Sequence, residues 1–376
     1  MHPNPAILVH NPVMPYHPGT PNNDLPPIPI AELETPATLK RAIAASRSLA
    51  SLQAAGPLIP NQAILLRAIL LQEARASSEI ENIVTTNDAL YRALEFDPNH
   101  SDPATREVIR YGDALWQGYD DLKLGRPVRP SLMVRLVQTL KAADIDVRTG
   151  TGCQIVNDRT GEIVYTPPVD RDRILSMLDD LCRFMAEPGE VDPLIAMAAA
   201  HRQFEAIHPF PDGNGRTGRV LNLLFLIQAN LLDVPILYLS GYIVRHKSTY
   251  YRLLRHVTEQ GAWEPWICFM LDAVEETARQ TLEMLHGVHE AISKASELAR
   301  RNMTRGYSRE LIDVVFSQPY TRISHVERAG IAKRNAASAY LRDLEQLEIL
   351  QKVSHGRERL YLNPSLMRAL TLQKSQ

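Results

Sequence analysis

His208-Pro-Phe-Pro-Asp212-Gly213-Asn214-Gly215-Arg216-Thr217-Gly218-Arg219 is the run on which the reading of this chain turns. It brings together an imidazole, a carboxylate, glycines on either side of an asparagine, and two arginines. Gly213 and Gly215 have no Cβ, so their backbone can adopt dihedrals closed to other residues and come close to a ligand. The residues that follow, RTGRVLNLLFLIQ, read as a helix. The glycines then stand at a helix N-terminus, where unpaired N–H groups and the macrodipole attract anions. Arg216 and Arg219, three apart, share a face of that helix, and their guanidinium forks match phosphate oxygens. Asp212 offers the hard oxygen that Mg²⁺ takes when it also binds phosphates. His208 titrates near neutrality and can act as a general base. Singly these residues are commonplace, since DGNG alone makes a turn and a lone histidine often packs in a core. Their register with one another is what points to a polyphosphate site.

On these residues the chain resembles the Fic (filamentation induced by cAMP) proteins, whose signature is HxFx(D/E)GNGRxxR. His208, Phe210, Asp212, Gly213, Asn214, Gly215, Arg216 and Arg219 fill every specified position, and position 211 is unconstrained. The resemblance implies a mainly α fold with a helical Fic core and a β-hairpin flap. It also implies transfer of AMP from ATP to Ser, Thr or Tyr hydroxyls of proteins, this one included. His208 would deprotonate the target hydroxyl, and Asp212 would hold Mg²⁺ against the α- and β-phosphates. The run Gly213 to Arg219, with Thr217 and Gly218 inside it, would bind ATP: Asn214 and the glycine N–H groups on phosphate oxygens, Arg216 and Arg219 on the β- and γ-phosphates. Phe210 would anchor the loop in the core.

Upstream, Ser77-Ser78-Glu79-Ile80-Glu81-Asn82 lies within a helical pattern that begins after Pro60. Ser77 and Glu81 are four apart and share a face, which by itself is an ordinary solvated helix surface. Beside the glycine loop the segment resembles the inhibitory motif (S/T)xxxE(G/N) of Fic proteins, with Ser77, Glu81 and Asn82 in the specified places. A carboxylate against a guanidinium in a partly desolvated site is a strong charge-assisted pair. Glu81 on Arg219 would remove the partner that the γ-phosphate needs, which places Glu81 in the nucleotide site and makes the enzyme autoinhibited.

The rest of the chain divides by pattern. Residues 1–100 hold a proline-rich extended start, with LPPIPI as either a docking PxxP or a self-packing tail, then a helix that stops at Gly56-Pro57 and the motif helix. Residues 101–275 read as the Fic core: helices from Asp102, Pro130, Arg171 and Asp192, with a change to β periodicity at Gln154–Val156 and Ile163–Tyr165 around an Asn157-to-Gly161 turn. By resemblance this hairpin, at about 153–166, is the flap on which a target protein docks by strand addition. His201 reads as structural and Glu205 as an outer group. Tyr251 is placed near the adenine, again by resemblance. Residues 276–306 read as a polar helical connector. Residues 307–370 give short helices and then ILQKVSHGRERLYL, a hairpin with Gly356 at its tip, and this order resembles a winged helix-turn-helix. That module has ten basic against seven acidic side chains between 307 and 368, with Lys333 and Arg334 opening the recognition helix. The excess is modest, so interaction is favoured over DNA reading.

The formal net charge of −2 gives no global basic field for nucleic acid. Cys153, Cys182 and Cys268 form no CxxC pair, which argues against a cysteine zinc site and for a reducing compartment. The start lacks the features of a signal peptide, and the apolar run Val220 to Leu239 is broken by polar residues and Pro235, so cytoplasmic residence without a membrane span is expected. Two alternatives to the autoinhibited adenylyltransferase stay open: transfer of another phosphate-containing group, and a transcriptional regulator whose Fic domain senses nucleotide. Homodimer formation is compatible with either.

Overall fold

The computed structural model describes residues 16–55, 62–95, 101–150, 152–157, 160–355 and 358–370. The proline-rich start as far as residue 15, the stop at Gly56-Pro57, the start at Pro60 and the hairpin tip at Gly356 lie outside the described residues. Two helices begin in the same way, with an aspartate as cap and a proline in the first helical position. Asp102 accepts from the Thr105 N–H at 2.9 Å to open α5 (Pro103–Lys123), and Asp192 accepts from Leu194 N–H at 2.9 Å to open α8 (Pro193–Ile207). The carboxylate satisfies one of the orphan donors of the first turn, and the proline gives up an N–H that had no acceptor.

The core is helix on helix. The short α1 (Ile30–Leu33) precedes α2 (Pro36–Ala55), which lies along α12 (Trp263–Asn302). Ala42, Ala45, Leu49 and Leu52 recur on the buried face of α2, and the two alanines let the backbones approach. Burying Leu49 and Leu52 contributes on the order of 2 kcal/mol each. Arg41 on Asp272, at 3.0 Å, tethers the same pair at its rim. α12 runs unbroken for 40 residues. The stretch expected as a polar connector is thus the second half of one rod, and its Met284, Leu285, Val288 and Ile292 are buried.

Inside this frame α8 and α9 (Asn214–Gln228) are buried on almost every face. A helix apolar all round belongs in the middle of a fold, and α5, α6 (Pro130–Lys141), α7 (Arg171–Ala186) and α12 enclose the pair. α3 (Gln62–Ile80) packs on α5 and on α10 (Leu239–Arg245), and its last turn faces the start of α9. α11 (Lys247–Gln260) closes the other side. Among the described residues no helix is long and apolar enough to cross a membrane.

The β periodicity forms a small antiparallel hairpin. β1 (Ile155–Val156) pairs with β2 (Ile163–Tyr165), with a register shift between Ile155 and Val156. Asn157 accepts from Gly161 N–H at 2.8 Å, and Gly161 takes a positive φ of 69° to make the turn.

After α12 come α13 (Arg309–Val315), β3 (Tyr320–Thr321), α14 (Ile323–Arg328), α15 (Arg334–Gln346), the antiparallel β4 (Gln351–His355) and β5 (Glu358–Leu362), and α16 (Pro364–Leu370). The sheet order is β3-β5-β4, so the expected hairpin gains a third strand from a two-residue run too short to carry an alternating pattern. Asn363 caps α16, accepting from Leu366 N–H at 3.0 Å and donating to the Val315 carbonyl at 3.0 Å. This module touches α4 (Asn87–Glu95): the Tyr320 hydroxyl donates to Asp88, Arg322 pairs with Glu95 at 3.5 Å, and His325 Nε2 lies 3.2 Å from the same carboxyl group.

Candidate active site

α8 ends at His208, which takes the left-handed conformation, φ 47° and ψ 60°, with its N–H bonded to the Phe204 carbonyl at 3.0 Å. A non-glycine residue in that region is strained and needs support from its surroundings. Arg148 supplies it. Its Nε donates to the His208 carbonyl at 2.8 Å, its Nη2 to the carbonyls of Ile207 at 3.2 Å and of Pro168, and its own N–H to the Pro209 carbonyl at 3.0 Å. Nothing in the sequence marks this arginine, because it lies in an aperiodic loop sixty residues upstream of the motif.

The loop then folds on itself. Phe210 is fully buried, its ring 6.5 Å from that of Phe204. The Asn214 side chain accepts from Phe210 N–H at 2.9 Å and donates to the Phe210 carbonyl at 2.7 Å. Its carboxamide is therefore engaged in shaping the loop. Gly213 stands at φ 83° as the cap of α9, where a Cβ would also press to 3.0 Å from Val137. The first intrahelical acceptor of α9 is used by Thr217 N–H, bonded to the Gly213 carbonyl at 3.0 Å, so the N–H groups of the turn before it have no acceptor within the helix. Thr217 is itself buried, and its hydroxyl has no partner. Gly218 faces α8, where a Cβ would meet Glu205 at 2.7 Å, so its smallness sets the spacing of the two helices.

The charged groups around the loop form two sets. Arg216 donates to Glu107 at 2.6 Å, Lys141 reaches Glu107 at 3.0 Å, and the same Lys141 reaches Asp212 at 2.6 Å. The carboxyl of Asp212 is mostly exposed; burial pushes its pKa up, but the hydrogen bond and charge of Lys141 outweigh this and hold it below the usual range. The second set surrounds Arg219. Its Nε donates to Ser77 Oγ at 2.7 Å, and its Nη2 donates to the Ser77 carbonyl at 2.9 Å and to Glu81 Oε1 at 2.8 Å. The guanidinium is fully buried. Burial acts to raise the pKa of Glu81, but the charge and hydrogen bond of Arg219 override it and the carboxyl stays ionised to lower pH than usual.

The Glu81 oxygen lies directly over the glycine loop, since a Cβ on Gly215 would come within 2.3 Å of it. α3 ends just there: Asn82 takes φ 61°, its N–H bonded to the Glu79 carbonyl at 3.0 Å, and Ile83 N–H returns to the Ser78 carbonyl at 3.0 Å. Asparagine tolerates this left-handed position, which is why Asn or Gly suits the residue after the glutamate. Lys247 Nζ donates to the Asn82 side chain at 2.9 Å and ties the helix end to α11.

A cavity of about 800 Å³ opens beside this contact, lined by Ile80 to Asn82, the hairpin, α8 and α11. Tyr251 lies on its wall, 44% exposed, with its ring edge-on to Tyr250 at 5.2 Å. Glu205 also lines it. The sequence reading set this residue aside as peripheral, yet burial raises its carboxyl to about 7 and its Oε1 has no partner. His208 is pushed down to about 4, first by burial and then by the Arg148 charge, so its imidazole is neutral throughout the physiological range. His201 is buried with its Nε2 2.8 Å from the Tyr250 hydroxyl, in keeping with a packing role. The loop and its surroundings offer an anion cradle, two guanidinium groups, a neutral imidazole and one exposed carboxylate, with the cavity adjoining them at Glu81.

Comparison with known proteins matches three consecutive parts of the chain. Residues 39–120 match the Fic/DOC family N-terminal model and residues 130–226 the Fic/DOC family model. Residues 292–366 match the C-terminal domain of the SoFic-like protein adenylyltransferases. The chain is 44% identical over 87 residues to a probable protein adenylyltransferase of Aquifex aeolicus, covering 23% of this chain and 24% of that protein. It is 30% identical over 105 residues to protein adenylyltransferase fic-1 of Caenorhabditis elegans, covering 27% and 19%. The chain thus spans less than a quarter of the length of these curated relatives. In three dimensions it is similar to a Fic family protein from Desulfovibrio desulfuricans G20, with a TM-score of 0.55, 21% identity and coverage of 88% and 97% of the two chains. It is also similar to a Fic domain containing signaling protein from Bacteroides thetaiotaomicron VPI-5482, with a TM-score of 0.50, 18% identity and coverage of 64% and 95%. Those two likenesses speak for the fold, and the three matched segments identify Fic/DOC family domains followed by a SoFic-like C-terminal domain.

Proposed function

We propose that this protein transfers AMP from ATP to a protein hydroxyl and that Glu81 holds it in an off state. The observation that carries the reading is the contact of Glu81 with Arg219 above Gly215, where a side-chain carboxylate already fills part of an anion cradle. Relatives named protein adenylyltransferase support the reaction type.

In this reading the neutral His208 takes the proton of the attacking hydroxyl, the hydroxyl oxygen bonds to the α-phosphorus, and pyrophosphate leaves. Arg148 keeps the imidazole in place, and its charge favours the unprotonated form that a base requires. The free N–H groups of α9 and the guanidinium groups of Arg216 and Arg219 bind the polyphosphate. With Arg219 engaged by Glu81, the terminal phosphate lacks its partner and the α-phosphorus is poorly presented. Among the described residues no cluster of three or more metal-ligating side chains exists, which suits Mg²⁺ arriving with its nucleotide. Asp212, exposed beside the cradle, is the carboxylate that fits such an ion, and Lys141 must yield it. Bound there, Mg²⁺ would offset phosphate charge. The edge of the β1–β2 hairpin is where the target main chain aligns.

Incubation of the purified chain with radiolabelled ATP and a cell lysate tests this. Glu81→Gly is expected to raise protein labelling at least tenfold, a modest share of what a misplaced group costs a reaction, and His208→Ala in the same background to abolish it. Equal labelling by the two would refute the proposal.

A further inference from the structure

The cavity has a wall that the hairpin and the two flanking helices α8 and α11 do not supply. Residues 16–26 cross the end of the hairpin as a strap with two turns and bond to it repeatedly. Thr166, the residue after β2, gives all its polar groups to this strap. Its N–H donates to the Tyr16 hydroxyl at 3.2 Å, its Oγ1 to the Pro18 carbonyl at 2.6 Å, and its carbonyl accepts from Asn22 N–H at 3.0 Å. Asn23 accepts from Val169 N–H at 2.9 Å, and Gln203 of α8 donates to the Pro26 carbonyl at 3.0 Å. A segment held at this many points presents its side chains in fixed positions.

Tyr16 is the strap residue that faces the cavity. Its ring lies 5.5 Å from that of Tyr165, inclined by 32°. Tyr165 is itself fixed, because its hydroxyl donates to the Ala206 carbonyl at 2.8 Å, two residues before His208. One end of the cavity is set by Ile80 to Asn82, and Glu81 there links it to Arg219 and the glycine loop. Arg202, Arg252, Arg255 and Glu259 bring charge to the rest of the lining, and within it Ile155, Val164, Leu254 and the two tyrosines form an apolar and aromatic patch that suits a flat heterocycle.

We propose that the N-terminal strap is part of the nucleotide site and that the Tyr16 ring is a wall on which the purine base of a nucleoside triphosphate stacks. This rests on the nucleotide reading above and extends it to a segment almost two hundred residues from the glycine loop, well outside the matched family regions. Tyr16 acts on affinity and choice of base; it has no part in proton transfer.

The test is calorimetric titration of the full chain carrying Glu81→Gly, with ATP and, separately, with inorganic tripolyphosphate, which has no base. Adding Tyr16→Ala is expected to weaken ATP binding about tenfold, as removal of a stacking ring does. Tyr16→Phe keeps the ring and should keep the affinity. Tripolyphosphate should not distinguish the variants. Unchanged ATP affinity in Tyr16→Ala overturns the proposal. So does a loss that extends equally to tripolyphosphate, or one that Tyr16→Phe shares in full, since either makes the residue a structural anchor. Failure of the Glu81→Gly protein itself to bind ATP would instead bring down the nucleotide reading, and this proposal with it.

Discussion

Oε1 of Glu81 sits where a Cβ on Gly215 would approach to 2.3 Å, so this carboxylate and the glycine loop occupy mutually dependent space. The glycine leaves room for a side chain from another helix, and that side chain then holds the arginine one turn further along α9.

A coupling between the two positions follows. In the presence of Glu81, Gly215→Ala expels the carboxylate from Arg219 and should destabilise the fold by about 1–2 kcal/mol, a figure discounted for the partial exposure of Glu81. In a Glu81→Gly background the same change should be neutral or stabilising, because alanine is the better helix residue by about 1 kcal/mol. Urea unfolding of the four proteins measures this, and additive effects would contradict the geometry.

Ser77 holds two of the contacts that fix Arg219, through its hydroxyl and its carbonyl. Ser77→Ala removes the first and leaves Nε of a buried guanidinium unpaired, at a cost of about 1–3 kcal/mol. Because the same bond joins α3 to α9, basal transfer of label from ATP should rise. A stable variant with unaltered basal labelling would show that the serine plays no part in the off state.

Arg148 is a buried cation that bonds only to carbonyls. Arg148→Met strands those oxygens and lets the strained His208 turn relax, so a loss of about 2–4 kcal/mol is expected. It also removes a charge that disfavours protonation of His208. The acid limb of activity, set near pH 4 by the depressed imidazole, should move toward the ordinary value of about 6.5 in Arg148→Met combined with Glu81→Gly. A pH profile of kcat/KM reads this directly, and an unmoved limb would remove Arg148 from the account of the base.

Glu73 lies deep in α3, accepting from the Tyr111 hydroxyl at 3.1 Å and from Ser240 N–H at 2.8 Å. Burial raises it to about 7. A carboxyl raised on folding contributes its stability fully below its unfolded pKa of about 4.5 and loses it as pH climbs through 7. Glu73→Gln, the shape of the protonated acid, should flatten that loss, worth about 3 kcal/mol across the window. Melting temperatures of the two proteins at pH 5 and pH 8.5 should therefore converge at low pH and separate at high pH in favour of the variant.

How much of this was readable beforehand depended on how local the cause was. The glycine loop, the helix it opens and the spacing of Ser77 and Glu81 are short-range features, and the chain states them outright. Arg148, Glu107 and Lys141 act across long separations from stretches without a motif, so no pattern marks them. Asn214 shows another limit: its type suits a ligand, while the bonds of both ends of its amide to Phe210 belong to the folded loop and no pattern announces them. Glu205 was undervalued for a similar reason. Its place next to Gly218 depends on how closely α8 and α9 approach, and that distance appears only once both helices are packed.

At about 1.5 Å per residue, the 40-residue α12 reaches roughly 60 Å, from beside the catalytic bundle to the C-terminal module. That module then folds back, and Tyr320 grips Asp88 on α4, four linker residues beyond the end of the turn that carries Glu81 and Asn82. Beam and brace make a closed frame. On the proposed reading of Glu81, a partner that seizes the distal module would have hold of the latch itself, with no need to enter the cleft.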